Sequence, residues 1–153
     1  MFRKILVPLD GSELAELALP YASRLMGTIG RLILLRATDQ GESGGPLAAY
    51  LADVAEHLQQ NGAAAEWRLC RGPAVDAITQ QARLQRADSI VMSTHGRDGI
   101  QRLLHGSIAE HVFHDAEVPV VLVPARAASA WDAGAGHRIV QRQGIPALAG
   151  GTA

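Results

Sequence analysis

Five short apolar runs, separated by segments whose apolar residues recur every three or four positions, constrain the fold of this 153-residue chain more than any other feature. The runs are Ile5 to Leu9, Leu32 to Leu35, Ala64 to Leu69, Ser89 to Met92 and Val118 to Val123. Runs that are apolar at consecutive positions suit strands covered on both faces, whereas a strand with one wet face alternates. Between them, Leu14, Leu17, Ala18, Tyr21, Ala22 and Leu25 trace a helical stripe that Ser12 can cap and Gly27 stops. Leu47, Tyr50, Leu51, Val54 and Leu58 trace a second, which Asn61-Gly62 terminates. Gly72-Pro73 restarts a third with Val75, Ile78 and Ala82 inward, and a fourth runs from Ser107 through Ile108 to Phe113. The polar, glycine-rich stretch from Asp39 to Pro46 reads as a loop. The alanines and Glu66 of the third run fit a helix equally well on propensity, and its place in the alternation assigns it to a strand. Strands alternating with helices predict an α/β chain with a five-stranded parallel sheet and helices on both faces.

A sheet of that kind binds ligands beyond the carboxyl ends of its strands, where the strand order reverses. Two loops fall on that edge: Asp10-Gly11-Ser12 after the first run, and the stretch from Ser93 to Ser107 after the fourth. If the first and fourth strands are neighbours, the two loops flank one crevice. The second carries Ser93-Thr94-His95-Gly96, nine further residues, and then Gly106-Ser107 where a helical pattern begins. Glycines let the backbone come close to a ligand, and the first N–H groups of a helix lack internal partners, so the layout suits phosphate.

The same residues resemble the universal stress protein family of the adenine-nucleotide alpha hydrolase-like superfamily. The resemblance rests on Ile5-Leu6-Val7-Pro8-Leu9-Asp10-Gly11-Ser12 with Ala15 and Ala18-Leu19, then Gly72-Pro73-Ala74 with Ala77-Ile78, Thr94-His95-Gly96-Arg97, Gly106-Ser107, and Pro119-Val120-Val121-Leu122-Val123. It implies a Rossmann-like fold of strand order 3-2-1-4-5 and a homodimer through the fifth strand, Val118 to Val123. It also implies ATP as ligand, with Mg or Mn held through the phosphates, and a nucleotide-dependent role in the stress response. Carried over residue by residue, the implied nucleotide set is Pro8 and Leu9 at the adenine, Asp10 on the ribose and metal side, Ala37 after the second strand, then Met92, Ser93, His95, Gly96, Arg97, Gly106, Ser107 and Ile108. Asp10 has a second reading as a plain helix cap, and His95 as a residue that fixes its own loop. Ser93 stands where the ATP-binding branch has its first glycine, a departure that keeps open an alternative: a dimeric interaction module of the same fold that binds no nucleotide.

Other chemistries find little support. Lys4 is the single lysine, so no Walker lysine exists, and Arg97 or Arg102 would have to meet the phosphates. Arg36, beside Ala37, reads as a solvated charge at a strand end. His111 and His114 lie three apart with Glu110 beside them, a pattern that a solvated helix face explains without a metal. Cys70 is the only cysteine, has no Cys-x-x-Cys partner and fits a reducing compartment. No general base stands out, so at most slow ATP hydrolysis is expected. The net charge of -1 with 14 basic residues scattered along the chain speaks against nucleic-acid or membrane partners, and no apolar run is long enough for a membrane span, so a cytoplasmic location is expected. At 153 residues and 48% hydrophobic content the chain fits one domain, which the resemblance implies over residues 1–125. Residues 126–153, rich in alanine and glycine, read as a mobile tail, or one whose Trp131 and Ile139-Val140 pack on a dimer partner.

Overall fold

The computed structural model describes residues 1–94 and 108–124. Five strands and five helices follow one another as β1 (Phe2–Pro8), α1 (Glu13–Glu16), α2 (Ala18–Leu25), β2 (Met26–Thr38), α3 (Gly44–Gln60), β3 (Ala65–Arg71), α4 (Ala74–Leu84), β4 (Ser89–Thr94), α5 (Ile108–Asp115) and β5 (Val120–Pro124). The strands form one parallel sheet in the order β3-β2-β1-β4-β5. The expected order 3-2-1-4-5 is therefore the observed one, and β1 is its centre. Ile5 of β1 lies opposite Leu32 of β2 on one side and Ser89 of β4 on the other, and Ile5, Leu6 and Val7 are wholly buried.

Alternation along the strands divides the core into two layers. Ile5, Val7, Leu32, Leu34 and Val91 face Ala18, Leu19 and Ala22 of α2 and Leu51 and Val54 of α3. Leu6, Ile33, Leu35, Ile90 and Met92 face Ile78 and Ala82 of α4 and Ala109 and Val112 of α5. Continuous apolar strands and one-sided helical stripes are what two such layers require.

Helix ends show local chemistry at work. Ser12 caps α1, its hydroxyl accepting from the Ala15 N–H at 3.1 Å. The single stripe from Leu14 to Leu25 is divided between α1 and α2 at Leu17. Pro20 explains the break, because it has no N–H to give the Glu16 carbonyl. Helix α3 ends in a Schellman motif: Gly62 donates to the Gln59 carbonyl at 3.0 Å, Ala63 donates to that of Leu58 at 2.9 Å, and Gly62 has φ 86°. Helix α4 ends in the same motif, with Arg86 donating to Arg83 at 3.0 Å and Ala87 to Ala82 at 2.9 Å. There an arginine, Arg86, takes the left-handed position, at φ 51°.

Several boundaries differ from the sequence reading. α3 begins at Gly44, inside the stretch read as a loop, because Pro46 sits in a first turn that needs no N–H from it. β2 starts at Met26 directly after α2, and its register against β1 slips between Phe2↔Met26 and Lys4↔Arg31, a bulge that takes up the extra residues. β5 starts at Val120, two residues later than expected. Pro119 has no N–H for the ladder, although its carbonyl accepts from Ile90 at 2.9 Å. Among the described residues no helix is long and apolar enough to cross a membrane.

Candidate functional site

The order of the sheet reverses between β1 and β4: the chain leaves β1 toward β2 and β3, and returns to β1's other side with β4. The carboxyl ends of these two strands are thus adjacent, and the loops that follow them leave from one edge. This adjacency sets Ser93-Thr94, where the second ligand-facing stretch of the sequence begins, on the strand beside the one that leads into the Asp10 turn. Leu9, buried, extends β1 by donating its N–H to the Leu35 carbonyl at 2.8 Å. Pro8 and Asp10 on either side are half-buried. The chain then turns through Gly11 at φ 83°, a conformation glycine adopts without steric cost.

Asp10 closes that turn. Its Oδ1 accepts from the Ser12 N–H at 2.9 Å and from the Ser12 hydroxyl at 2.5 Å, while Oδ2 has no partner among the described residues. The carboxylate therefore orients the residue that caps α1, and both readings of Asp10 remain compatible, since these bonds use one oxygen and leave out the other. On the neighbouring strands Ala37 is half-buried at the end of β2, and Met92 is buried on the α4 and α5 side of β4. Ser93 is not a loop residue. It belongs to β4, half-buried and opposite Val123 of β5, because the ladder with β5 continues as far as Thr94↔Pro124. Ile108 is half exposed at the start of α5. His95, Gly96, Arg97, Arg102, Gly106 and Ser107, like the tail of residues 126–153 with Trp131 and Ile139-Val140, lie outside the described residues.

Arg36 corrects the sequence reading outright. Far from being a solvated strand-end charge, it is 1% exposed, the largest fully buried side chain described. Among the described residues none of its three guanidinium nitrogens has a hydrogen-bond partner, and Glu42 Oε1 pairs with it at 3.8 Å from Nη2. It shares the α3 side of the sheet with a second polar group, for Tyr50 donates its hydroxyl to Glu16 Oε1 at 2.8 Å, tying α3 to α1. Burial pushes the Glu16 carboxyl up from its ordinary range, partly offset by the Tyr50 bond, with the Glu13 and Asp10 charges adding to the rise. Burial, and then the Glu16 charge, raise the Tyr50 phenol further still, with Arg36 pulling the other way. Sequence reasoning missed this group because Tyr50 fits the apolar stripe of α3, and nothing in a stripe reveals where a hydroxyl points.

A family model described as the universal stress protein family matches residues 1–124. The chain belongs to the universal stress protein family. It is 28% identical over 140 residues to a universal stress protein of Methanocaldococcus jannaschii, covering 80% of this chain and 82% of that one. It is 30% identical over 142 residues to a universal stress protein of Thermus aquaticus, covering 80% of this chain and 99% of the relative. Among solved structures, a universal stress protein in complex with cAMP shares the fold, with a TM-score of 0.67 at 23% identity over 80% of this chain and 97% of that one.

Within this family fold the remaining candidates are soon placed. Among the described residues no group of three or more His, Cys, Asp and Glu side chains could hold a metal ion. His111 and His114 are exposed on α5. Cys70 is half-buried in β3, and burial pushes its thiol up, away from the reactive thiolate.

Proposed function

We propose that this universal stress protein binds ATP, or a closely related adenine nucleotide, in the crevice between the carboxyl ends of β1 and β4, and acts as a nucleotide-dependent regulator in the cytoplasm. The observation that carries the reading is the adjacency of β1 and β4, which sets the Asp10 turn beside the start of the glycine-containing stretch. The cAMP complex of a protein of the same fold supports a search among adenine nucleotides. In this reading Pro8, Leu9, Ala37 and Met92 border the base, and Ser93 supplies a hydroxyl at the mouth. The N–H groups around Gly96 and Gly106-Ser107 receive the phosphates, with His95, Arg97 and Ile108 flanking them. Asp10 directs its free oxygen toward the ribose and a Mg or Mn ion carried by the phosphates. The protein pairs with a second copy through β5, an edge strand, and residues 126–153 form an appendage to the domain.

The test is to purify the native protein gently, denature it, and identify the released small molecules by mass spectrometry, alongside Gly106→Asp, which adds bulk and negative charge against phosphate. Stoichiometric adenine nucleotide in the native protein and none in the variant is the expected result. Equal affinity for ATP in both would sink the phosphate-loop assignment. An empty native protein that also ignores added ATP with Mg would favour the interaction module, for which Ser93 in the glycine position is the specific motive.

A further inference from the structure

At the opposite, amino-terminal edge of the sheet lies a cavity of about 350 Å³, lined by Arg3, Lys4, Ile29, Arg31, Arg86 and Asp88. Four of the chain's 14 basic residues meet there from positions far apart in sequence. The sheet order brings them together: Arg3 and Lys4 open β1, Arg31 comes from β2 beside it, and Arg86 from the turn that leads into β4 on the other side. The cavity's one acid is already engaged. Asp88 Oδ2 accepts from the backbone N–H groups of Arg3 at 2.6 Å and Lys4 at 2.8 Å, which hold its carboxyl below the usual range. Among the described residues neither the Arg3 nor the Arg86 guanidinium forms an ion pair or a hydrogen bond. Lys4 Nζ donates only to the Gln85 carbonyl, at 3.0 Å, and Arg31 reaches Glu66 no closer than 4.0 Å.

Arg86 adds an independent observation. The equivalent position at the end of α3 is Gly62, the usual residue for the left-handed turn of a Schellman motif, and α4 places an arginine there against its backbone preference. That geometry sets the Arg86 side chain at the cavity beside Arg3 and Lys4. Ile29, 79% exposed, adds an apolar wall.

We propose that this cavity is an anion site for a compound bearing two or more phosphoryl groups, held by Arg3, Lys4, Arg31 and Arg86 and separated from the nucleotide crevice by the full length of the sheet. Several positive charges around one hollow favour a multiply charged ligand over a single carboxylate, and guanidinium forks match phosphate oxygens two at a time. Inorganic tripolyphosphate is the probe. Titrated at low salt into the isotope-labelled protein, it shifts the amide signals of Arg3, Lys4, Arg31, Arg86 and Asp88, whether or not the nucleotide crevice at Asp10 and Ser12 also takes it up; affinity falls as salt rises.

Arg86→Gly separates site from fold. It relieves the backbone and raises the melting temperature by about 3 °C, while weakening tripolyphosphate by about tenfold. Arg71→Ala removes one positive charge at the far edge and leaves binding unchanged. The proposal is overturned if, at these amino-edge signals, Arg86→Gly binds as tightly as the parent, if Arg71→Ala loses as much, or if the shifts are confined to Asp10 and Ser12. Displacement of the probe by a single-stranded oligonucleotide at equal phosphate concentration replaces it with a nucleic-acid surface.

Discussion

The two edges of this sheet handle charge in opposite ways. At the carboxyl edge polar groups sit below the surface: Arg36 is buried without a hydrogen bond, Tyr50 and Glu16 bond each other between helices, and Asp10 braces its own turn. At the amino edge Arg3, Arg31, Arg86 and Asp88 are exposed, and the one acid ties β1 to the turn before β4 through backbone bonds. Buried polar groups act at low dielectric and are costly when unmatched, whereas exposed charges are cheap and screened by salt. A ligand in the proposed nucleotide crevice would therefore be recognised by fit, and one in the proposed anion site by charge density.

The most direct way to break this contrast is Arg36→Met. If the guanidinium is as isolated as it stands, an apolar side chain of similar length stabilises the fold by about 1–3 kcal/mol in urea unfolding. A loss of stability would mean that Arg36 is firmly paired in solution, and the carboxyl edge would no longer be the strained one. Ser12→Ala comes next, expected to cost about 1 kcal/mol by uncapping α1, read from the same unfolding curve. A smaller effect is expected of Glu16→Gln, which keeps an acceptor for Tyr50 and removes the charge. Because the folded carboxyl titrates above its ordinary value of 4.5, its contribution is fully present below that pH and is lost as pH rises through the raised value. The variant should be the more stable protein at pH 7 by under about 1 kcal/mol, with the difference vanishing near pH 4. Smallest is Asp88→Asn. Its carboxyl titrates below the ordinary 3.8, so its stabilisation is present above that value and disappears as pH falls through the lowered one. Exposure limits the loss to a few tenths of a kcal/mol, visible as a flatter acid limb of the melting curve.

Much of the fold is legible because its causes are local or periodic. The cap at Ser12, the left-handed glycine after α3, and the strand at β3 despite its alanines all follow from short stretches and their place in an alternation. Two local features mislead a sequence reading: Pro20 withholds an N–H from the carbonyl four residues before it and so divides the stripe, and Pro46 reads as loop although a first turn accepts it. What sequence could not convey is convergence. Arg36 reads as a solvated charge until α3 and the loop carrying Glu42 close over the end of β2. The basic residues read as scattered until the order β3-β2-β1-β4-β5 gathers four of them at one edge. At the candidate site the sequence left open whether β1 and β4 are neighbours, which the sheet order shows, and it placed Ser93 in the loop instead of β4.

Placing the first strand at the centre of the sheet also orders events in time. As the chain emerges from the ribosome, β1 can gather β2 and β3 within the first 71 residues, forming half a sheet with its α1–α3 layer. The other side of β1 must wait for β4, whose turn reaches back to Arg3 across a separation of 85 residues. Long-range parallel pairings are slow to form, because loop closure precedes any gain from contact. The crevice between β1 and β4 thus forms only after the β1–β3 half of the sheet, and the nascent chain carries an open flank on β1 until it does.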